Sequence, residues 1–283
     1  MAEAQTANEI TPGGRRTSPP FRADHVGSLL RPPELLRARE EFAAGRITPE
    51  QLRATEDEAI RDVVKMQADV GLQSATDGEF RRASWHMDFI YQLGGIEKAP
   101  GDITVQFHNE QGEIEFTPAA IHVAEPVHLA KPIFAEDLEF LQGAVPAGVT
   151  PKLTIPSPSM VHYRGGAASI DPNVYSDVEE FWADLTAAYS AQVQAVAGIG
   201  GRYLQFDDTS LAYLNDPRQR EQMGTRAKTQ STCTRPTSAT STRCSPTSRK
   251  ASPSQPTCAA ATFAPRGSPR AGMTSSPRPC SAA

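Results

Sequence analysis

Beyond residue 224 the chain stops supplying the material of a core. Residues 225–283 hold no Val, Ile, Leu, Tyr or Trp, and only one Phe and one Met. Ser, Thr, Pro, Ala and Arg fill most of the rest, and such a segment cannot bury enough apolar surface to offset the entropy lost on ordering. This tail is predicted to be disordered. Charge divides at the same place: the tail carries nine of the 28 basic residues and none of the 33 acidic ones. All four cysteines (Cys233, Cys244, Cys258, Cys280) lie in it, and all six histidines precede it. A single folded domain seldom segregates its residue types so fully, so the folded unit is expected within residues 21–224.

That part is long enough for one α/β domain with a buried core. Residues 1–20 are polar, contain Pro12, Gly13, Gly14, Pro19 and Pro20, and lack the apolar stretch of a secretory signal. They are expected to form a disordered arm. No run approaches the ~20 apolar residues of a membrane helix. The expected setting is cytoplasmic, with no membrane partner.

Helices are marked by their ends. Thr48-Pro49-Glu50-Gln51 reads as an N-cap, a proline at the first helical position and a capping-box Gln. Leu52, Ala59, Ile60, Val63, Val64, Gln67 and Val70 follow at helical spacing up to Gly71, which suits a left-handed closing position. Ser176-Asp-Val-Glu179 reads as a second capping box, opening a helix through Phe181, Leu185, Tyr189, Val193 and Val196 to Gly198. Short apolar strands are predicted at Leu72–Thr76, Lys152–Ile155 and Tyr203–Phe206, the middle one ending in a turn, Pro156–Met160. Helix, strand and polar turn in repetition indicate a parallel α/β fold. Ile103–Phe107 and Glu113–Phe116 read as an inserted hairpin.

Chemistry in such folds gathers at the carboxyl ends of strands. Asp77-Gly78-Glu79 leaves the first of these strands, and Asp207-Asp208 the last. These acids are candidate site residues; the alternative is that Asp77 and Asp208 cap helices and Glu79 is solvated. Further upstream, a strand in Phe21–Pro33 would present His25 and Ser28 near its end, with Gly27 permitting a ligand to approach the backbone closely.

Three stretches, HVGSLLRP (25–32), ATDGEFRR (75–82) followed by Trp85-His86, and YLQFDDTSLAYL (203–214), together resemble the cobalamin-independent methionine synthase family, in particular its shorter single-barrel members. The resemblance covers residues 21–223. It implies a (β/α)8 TIM barrel, here incomplete at about five or six strands, and a methyltransferase reaction. In that reaction a methyl group passes from methyltetrahydrofolate, or a related donor, to homocysteine, whose thiol a zinc ion holds as the nucleophilic thiolate. Carried over by motif, Gly27 and Ser28 contact the amino-acid substrate and Glu79 and Asp207 hold its ammonium. His25 flanks them. Trp85 and the turn Ser157–Tyr163 line the folate side, and Arg81 is a candidate for a substrate carboxylate or a surface position.

The family's zinc ligands, a His-x-Cys pair, a Glu and a later Cys, follow the Asp207 strand; here residues 225–283 contain neither His nor Glu. The metal ligands are therefore absent, and the chain is expected to lack activity. A minus-one reading frame offers a cause. With suitable third bases, the codons for Pro256–Ala264 then spell His-Leu-Cys-Arg-Gly-Asn-Phe-Arg. The same shift accommodates family-like residues at Arg226–Ser231 and Arg270–Thr274, so the tail reads as an out-of-frame translation. Two other readings compete: a metal-free uroporphyrinogen-decarboxylase-like barrel, and a non-catalytic protein whose basic tail binds an acidic partner. That tail has one aromatic for stacking and no nucleic-acid module, and nucleic acid is not expected as a partner.

Overall fold

A computed structural model describes residues 18–99, 105–109, 112–116, 120–163, 166–215, 217, 220–221 and 260–262. The expected arm at 1–20 lies outside these residues apart from 18–20, and so does the tail apart from three residues.

The chain opens with an irregular segment, residues 18–32, and not with the predicted strand. Helix α1 (Pro33–Ala43) follows, with proline at its first position. Helix α2 (Pro49–Asp69) has the predicted capping box: Thr48 accepts from the Gln51 N–H while the Gln51 side chain accepts from the Thr48 N–H. Its buried stripe includes Ala59, Ile60, Val63, Val64 and Gln67. Gly71 takes the left-handed conformation that closes it, which leaves Val70 exposed beyond the last turn.

Strand β1 (Ser74–Ala75) is shorter than predicted, and the single turn α3 (Met87–Ile90) follows it. The insertion is larger than one hairpin. Strands β2 (Gly94–Ala99) and β5 (Ala120–His128) pair antiparallel and enclose a hairpin of β3 (Val105–Asn109) and β4 (Gly112–Phe116). Ile96, Ile121, Val123 and Val127 join the main core, so β2 and β5 are part of the packed unit. Helix α4 (Ala135–Ala144) then leads into β6 (Thr150–Pro156).

Residues expected as a turn after β6 form the short helix α5 (Pro158–Tyr163). Helix α6 (Val178–Gly198) is capped by Asp177, whose carboxylate accepts from the Glu179 N–H. The Ser176 capping box is not used, because the helix starts one residue later. Gly200, not Gly198, takes the left-handed closing position. Strand β7 (Tyr203–Asp207) and the single turn α7 (Ser210–Tyr213) complete the unit.

Strands β1, β6 and β7 are parallel neighbours in that order, and β8 (Ala260–Thr262) joins β7 antiparallel. The sheet is small and open; a closed barrel is not formed among the described residues. The three residues of β8 also depart from the disorder expected of the tail. An edge strand offers unpaired N–H and C=O groups that accept an extended segment through its main chain, whatever its composition.

The register puts side chains of opposite character on the two faces. Ala75, Leu153, Ile155, Leu204 and Phe206 share one face and pack beneath helices, Ala75 with α2 residues Ile60 and Val64 and the others with α6 residues Phe181, Leu185 and Tyr189. Ser74, Thr76, Lys152, Thr154, Tyr203, Gln205 and Asp207 share the other.

Candidate functional site

The irregular segment 24–29 lies against this polar face and is held there by side chains of the sheet. Lys152 donates to the His25 carbonyl, Gln205 Nε2 to the Val26 carbonyl at 2.8 Å, and Thr76 Oγ1 to the Gly27 carbonyl at 2.6 Å. The Leu29 N–H bonds to the Gly78 carbonyl at 3.1 Å. No strand forms here because these carbonyls are taken by side chains, while the Thr76 N–H and C=O are bonded to Gln67 from α2.

Beneath the segment, Lys152 is fully buried and its ammonium meets Asp24 Oδ1 at 3.0 Å and Gln205 Oε1 at 3.1 Å. Tyr203 and Ser74 also donate to Asp24. Burial alone would raise the Asp24 pKa, but the bonds from Tyr203 and Lys152 outweigh it and hold the carboxyl below its usual range. Neither Asp24 nor Lys152 belongs to a pattern that sequence spacing reveals, because they meet only through the fold.

Glu79 sits at the carboxyl end of β1. It is buried, not solvated, and its backbone is left-handed at φ 58°, an unfavourable region for a residue with a Cβ. Asp77 closes the turn by accepting from the Glu79 N–H at 2.9 Å. Two arginines from the first part of the chain fasten the turn's carbonyls: Arg31 bonds to Glu79 O and Arg82 O, and Arg39 to Arg82 O and Phe80 O. The Glu79 carboxylate accepts from Thr154 Oγ1 at 2.7 Å and lies 3.5 Å from Arg82, whose guanidinium stacks 4.2 Å from the Phe134 ring.

Gly27 is pressed against the same carboxylate. A Cβ there would stand 2.7 Å from Thr154 Cγ2 and 3.2 Å from Glu79 Oε1, and the backbone is in a positive-φ region besides. Ser28, next in the chain, is exposed. Asp207, ending β7, accepts from Gln205 Nε2. Burial, reinforced by the Glu79 charge, pushes the Asp207 carboxyl up to about 6 against that donation and the nearby cations Lys152 and Arg82. Gly27, Glu79 and Asp207 are thus brought into one polar neighbourhood, with Ser28 at its open side.

The other candidates divide. The His25 ring bonds through Nε2 to Gln67 Oε1 at 2.8 Å; that oxygen already accepts from the Thr76 N–H, so His25 is the donor and helps fasten the segment. Trp85 is half-buried with its ring 4.4 Å from that of His86. Arg81 is neither a surface residue nor part of the site. It is buried in ion pairs with Glu56, Asp57 and Asp137 and stacks on Phe140, among the helices. Asp208 is not the cap of α7, which is Thr209; it closes the turn before it, accepting from the Ser210 N–H at 2.9 Å and from Ser159 Oγ at 2.6 Å. Burial opposes its charge, yet these donors keep its pKa below the usual value.

Among the described residues no group of three His, Cys, Asp or Glu side chains could hold a metal ion. The residues nearest the site do not fit zinc: His25 is bonded to Gln67, and Glu79 and Asp207 are held by Thr154 and Gln205. The four cysteines lie outside the described residues, and of the stretch Pro256–Ala264 only residues 260–262 are described. No described helix is long and apolar enough to cross a membrane.

Acids at the carboxyl ends of parallel strands, under a glycine-bearing segment, define an α/β unit with a polar site at its strand ends. The chain is 41% identical to a Listeria monocytogenes protein described as a proposed vitamin-B12-independent methionine synthase, with a TM-score of 0.58, over 70% of this chain and 54% of that one.

 It is also 41% identical over 215 residues to the uncharacterized protein YxjG of Bacillus subtilis, covering 75% of this chain and 55% of that one. The 5-methyltetrahydropteroyltriglutamate–homocysteine methyltransferase of Thermotoga maritima is 25% identical over 124 residues, which is 17% of its length. No protein-family model matches. The chain spans about half the length of the curated Bacillus subtilis relatives it matches. In sequence and in fold, then, it resembles the cobalamin-independent methionine synthases.

Proposed function

We propose that residues 21–224 are the amino-acid-binding part of a homocysteine methyltransferase of the methionine synthase type. The observation that carries this reading is the pair of acids on the polar side of the sheet, Glu79 against Gly27 and Asp207 linked to Val26 through Gln205. Two carboxylates beside a close backbone approach suit a substrate ammonium. Ser28 stands at the open side to contact the same amino acid, His25 orders the segment, and Trp85 lines the side toward the methyl donor, a methyltetrahydrofolate. The thiol-activating step needs zinc in this family. With no His or Glu in residues 225–283, this chain lacks those ligands and does not carry the transfer through. We read the tail as an out-of-frame translation of the remaining barrel.

Calorimetric titration with L-methionine and L-homocysteine tests the binding reading: saturable binding by the full chain, lost in Glu79→Gln, is expected. Absence of binding in the unsubstituted chain overturns it. Nucleotide sequencing across codons 220–283 tests the tail, where an open minus-one frame spelling His-Leu-Cys is expected. Stoichiometric zinc uptake by the chain as it stands would overturn the inactive assignment.

A further inference from the structure

Gln205 occupies a junction that the site residues alone do not explain. Its amide nitrogen donates to both the Val26 carbonyl and Asp207 Oδ1, and its amide oxygen accepts from Lys152. Lys152 therefore dictates which end of the amide faces which partner, since an ammonium has only donors. Flipping the amide would set its NH2 group against Lys152 and its oxygen against a carbonyl and a carboxylate. One side chain thus ties the segment carrying Gly27 and Ser28 to the carboxylate across the sheet. Thr76, the residue after β1, holds the next carbonyl, that of Gly27. Three successive carbonyls, from His25 to Gly27, are fixed by side chains from β6, β7 and the residue following β1.

We infer that Gln205 is a positioning residue for the amino-acid site: oriented by Lys152, it sets the spacing between the Gly27–Ser28 backbone and Asp207, with Thr76 fixing the same backbone from the end of β1. This rests on the amino-acid-binding reading. A purely structural Gln would stabilise the fold without governing the site's charge or the order of the segment. A positioning Gln governs both.

The test uses the isotopically labelled full chain, with L-methionine as the probe. In Gln205→Met the backbone order parameters of Val26–Ser28 are expected to fall from about 0.85 to below about 0.6. The Asp207 carboxyl, followed by carbon NMR, titrates at higher pH, because it loses a donor while Glu79, Lys152 and Arg82 remain around it. L-methionine binding weakens roughly tenfold, the effect of losing a bond to a charged group. Thr76→Val should loosen Gly27 without moving the Asp207 titration, and Thr76→Ser, which keeps the hydroxyl, should restore it. This second pair decides the matter if Gln205→Met does not fold. A rigid segment in Gln205→Met with an unshifted Asp207 titration overturns the inference, as does loosening in Thr76→Ser equal to that in Thr76→Val. If the unsubstituted chain binds no L-methionine, the amino-acid reading fails, and the order parameters and titration still decide the role of Gln205.

Discussion

The two faces of the sheet are made from the same strands, residue by residue in alternation, and they are held in different ways. Leu153, Ile155, Leu204 and Phe206 meet helices through apolar packing, which is non-directional and tolerant of small shifts. On the other side Lys152, Tyr203 and Gln205 meet an irregular segment through directed bonds, and Thr154 and Asp207 bond to Glu79 and Gln205 beside it, each donor needing its own acceptor. The apolar face supplies stability, and the polar face supplies a specified arrangement. A break on the first should unfold the protein; a break on the second should disorder the site before it costs the fold.

Ile155→Ala should give the largest effect, a loss of about 3–4 kcal/mol, because Ile155 is fully buried and its neighbours belong to one packed core. Urea unfolding measures it. On the polar face Lys152→Met should cost about 2–3 kcal/mol by leaving Asp24 without its cation, and adding Asp24→Asn should recover part of that. No recovery in the double variant would mean that Lys152 acts by packing and not by pairing. Gly27→Ala should cost about 2 kcal/mol, since the new methyl meets Thr154 in a backbone conformation that disfavours a Cβ. Thr154→Ser in the same background should relieve it, because the nearest contact is the Thr154 methyl.

The smallest change runs the other way. Asp207 has a folded pKa raised to about 6, so the native state binds its proton more tightly than the unfolded chain does. Its contribution is fully present below the ordinary value of 3.8 and is lost as pH rises through about 6. Asp207→Asn should therefore stabilise the protein by about 1 kcal/mol at pH 7.5 and by nothing at pH 3.5, a difference thermal unfolding at the two pH values can read. The same titration has the opposite sign for binding: an ammonium favours the charged carboxylate, and L-methionine should bind more weakly as pH falls below 6.

Parts of this organisation were legible in the sequence for local reasons. The Thr48–Gln51 box and the Gly71 stop act within a turn of helix, and both formed as read. The strand ends carrying Glu79 and Asp207 were legible too, because a short apolar run followed by acids has few alternatives in an α/β fold. The segment at His25–Ser28 was misread as a strand. Its extended composition said nothing about Lys152, Gln205 and Thr76, which take its carbonyls from 49 to 179 residues away. The cap of α6 moved from Ser176 to Asp177 because either side chain can serve and only the start of the packed helix chooses between them.

The sequence by itself determined where a core can form and where it cannot, because burial draws on composition alone: apolar residues at helical and strand spacing before residue 225, almost none after it. It also determined which acids stand at strand ends. Only the tertiary structure decided that Glu79 is buried under Arg31, Arg82 and Thr154, that Arg81 faces Glu56, Asp57 and Asp137 among the helices, and that Gln205 links Val26 to Asp207. The physical reason is range. Periodicity and capping are properties of neighbours in the chain, while a buried charge takes its partner from whatever the fold brings within about 3 Å.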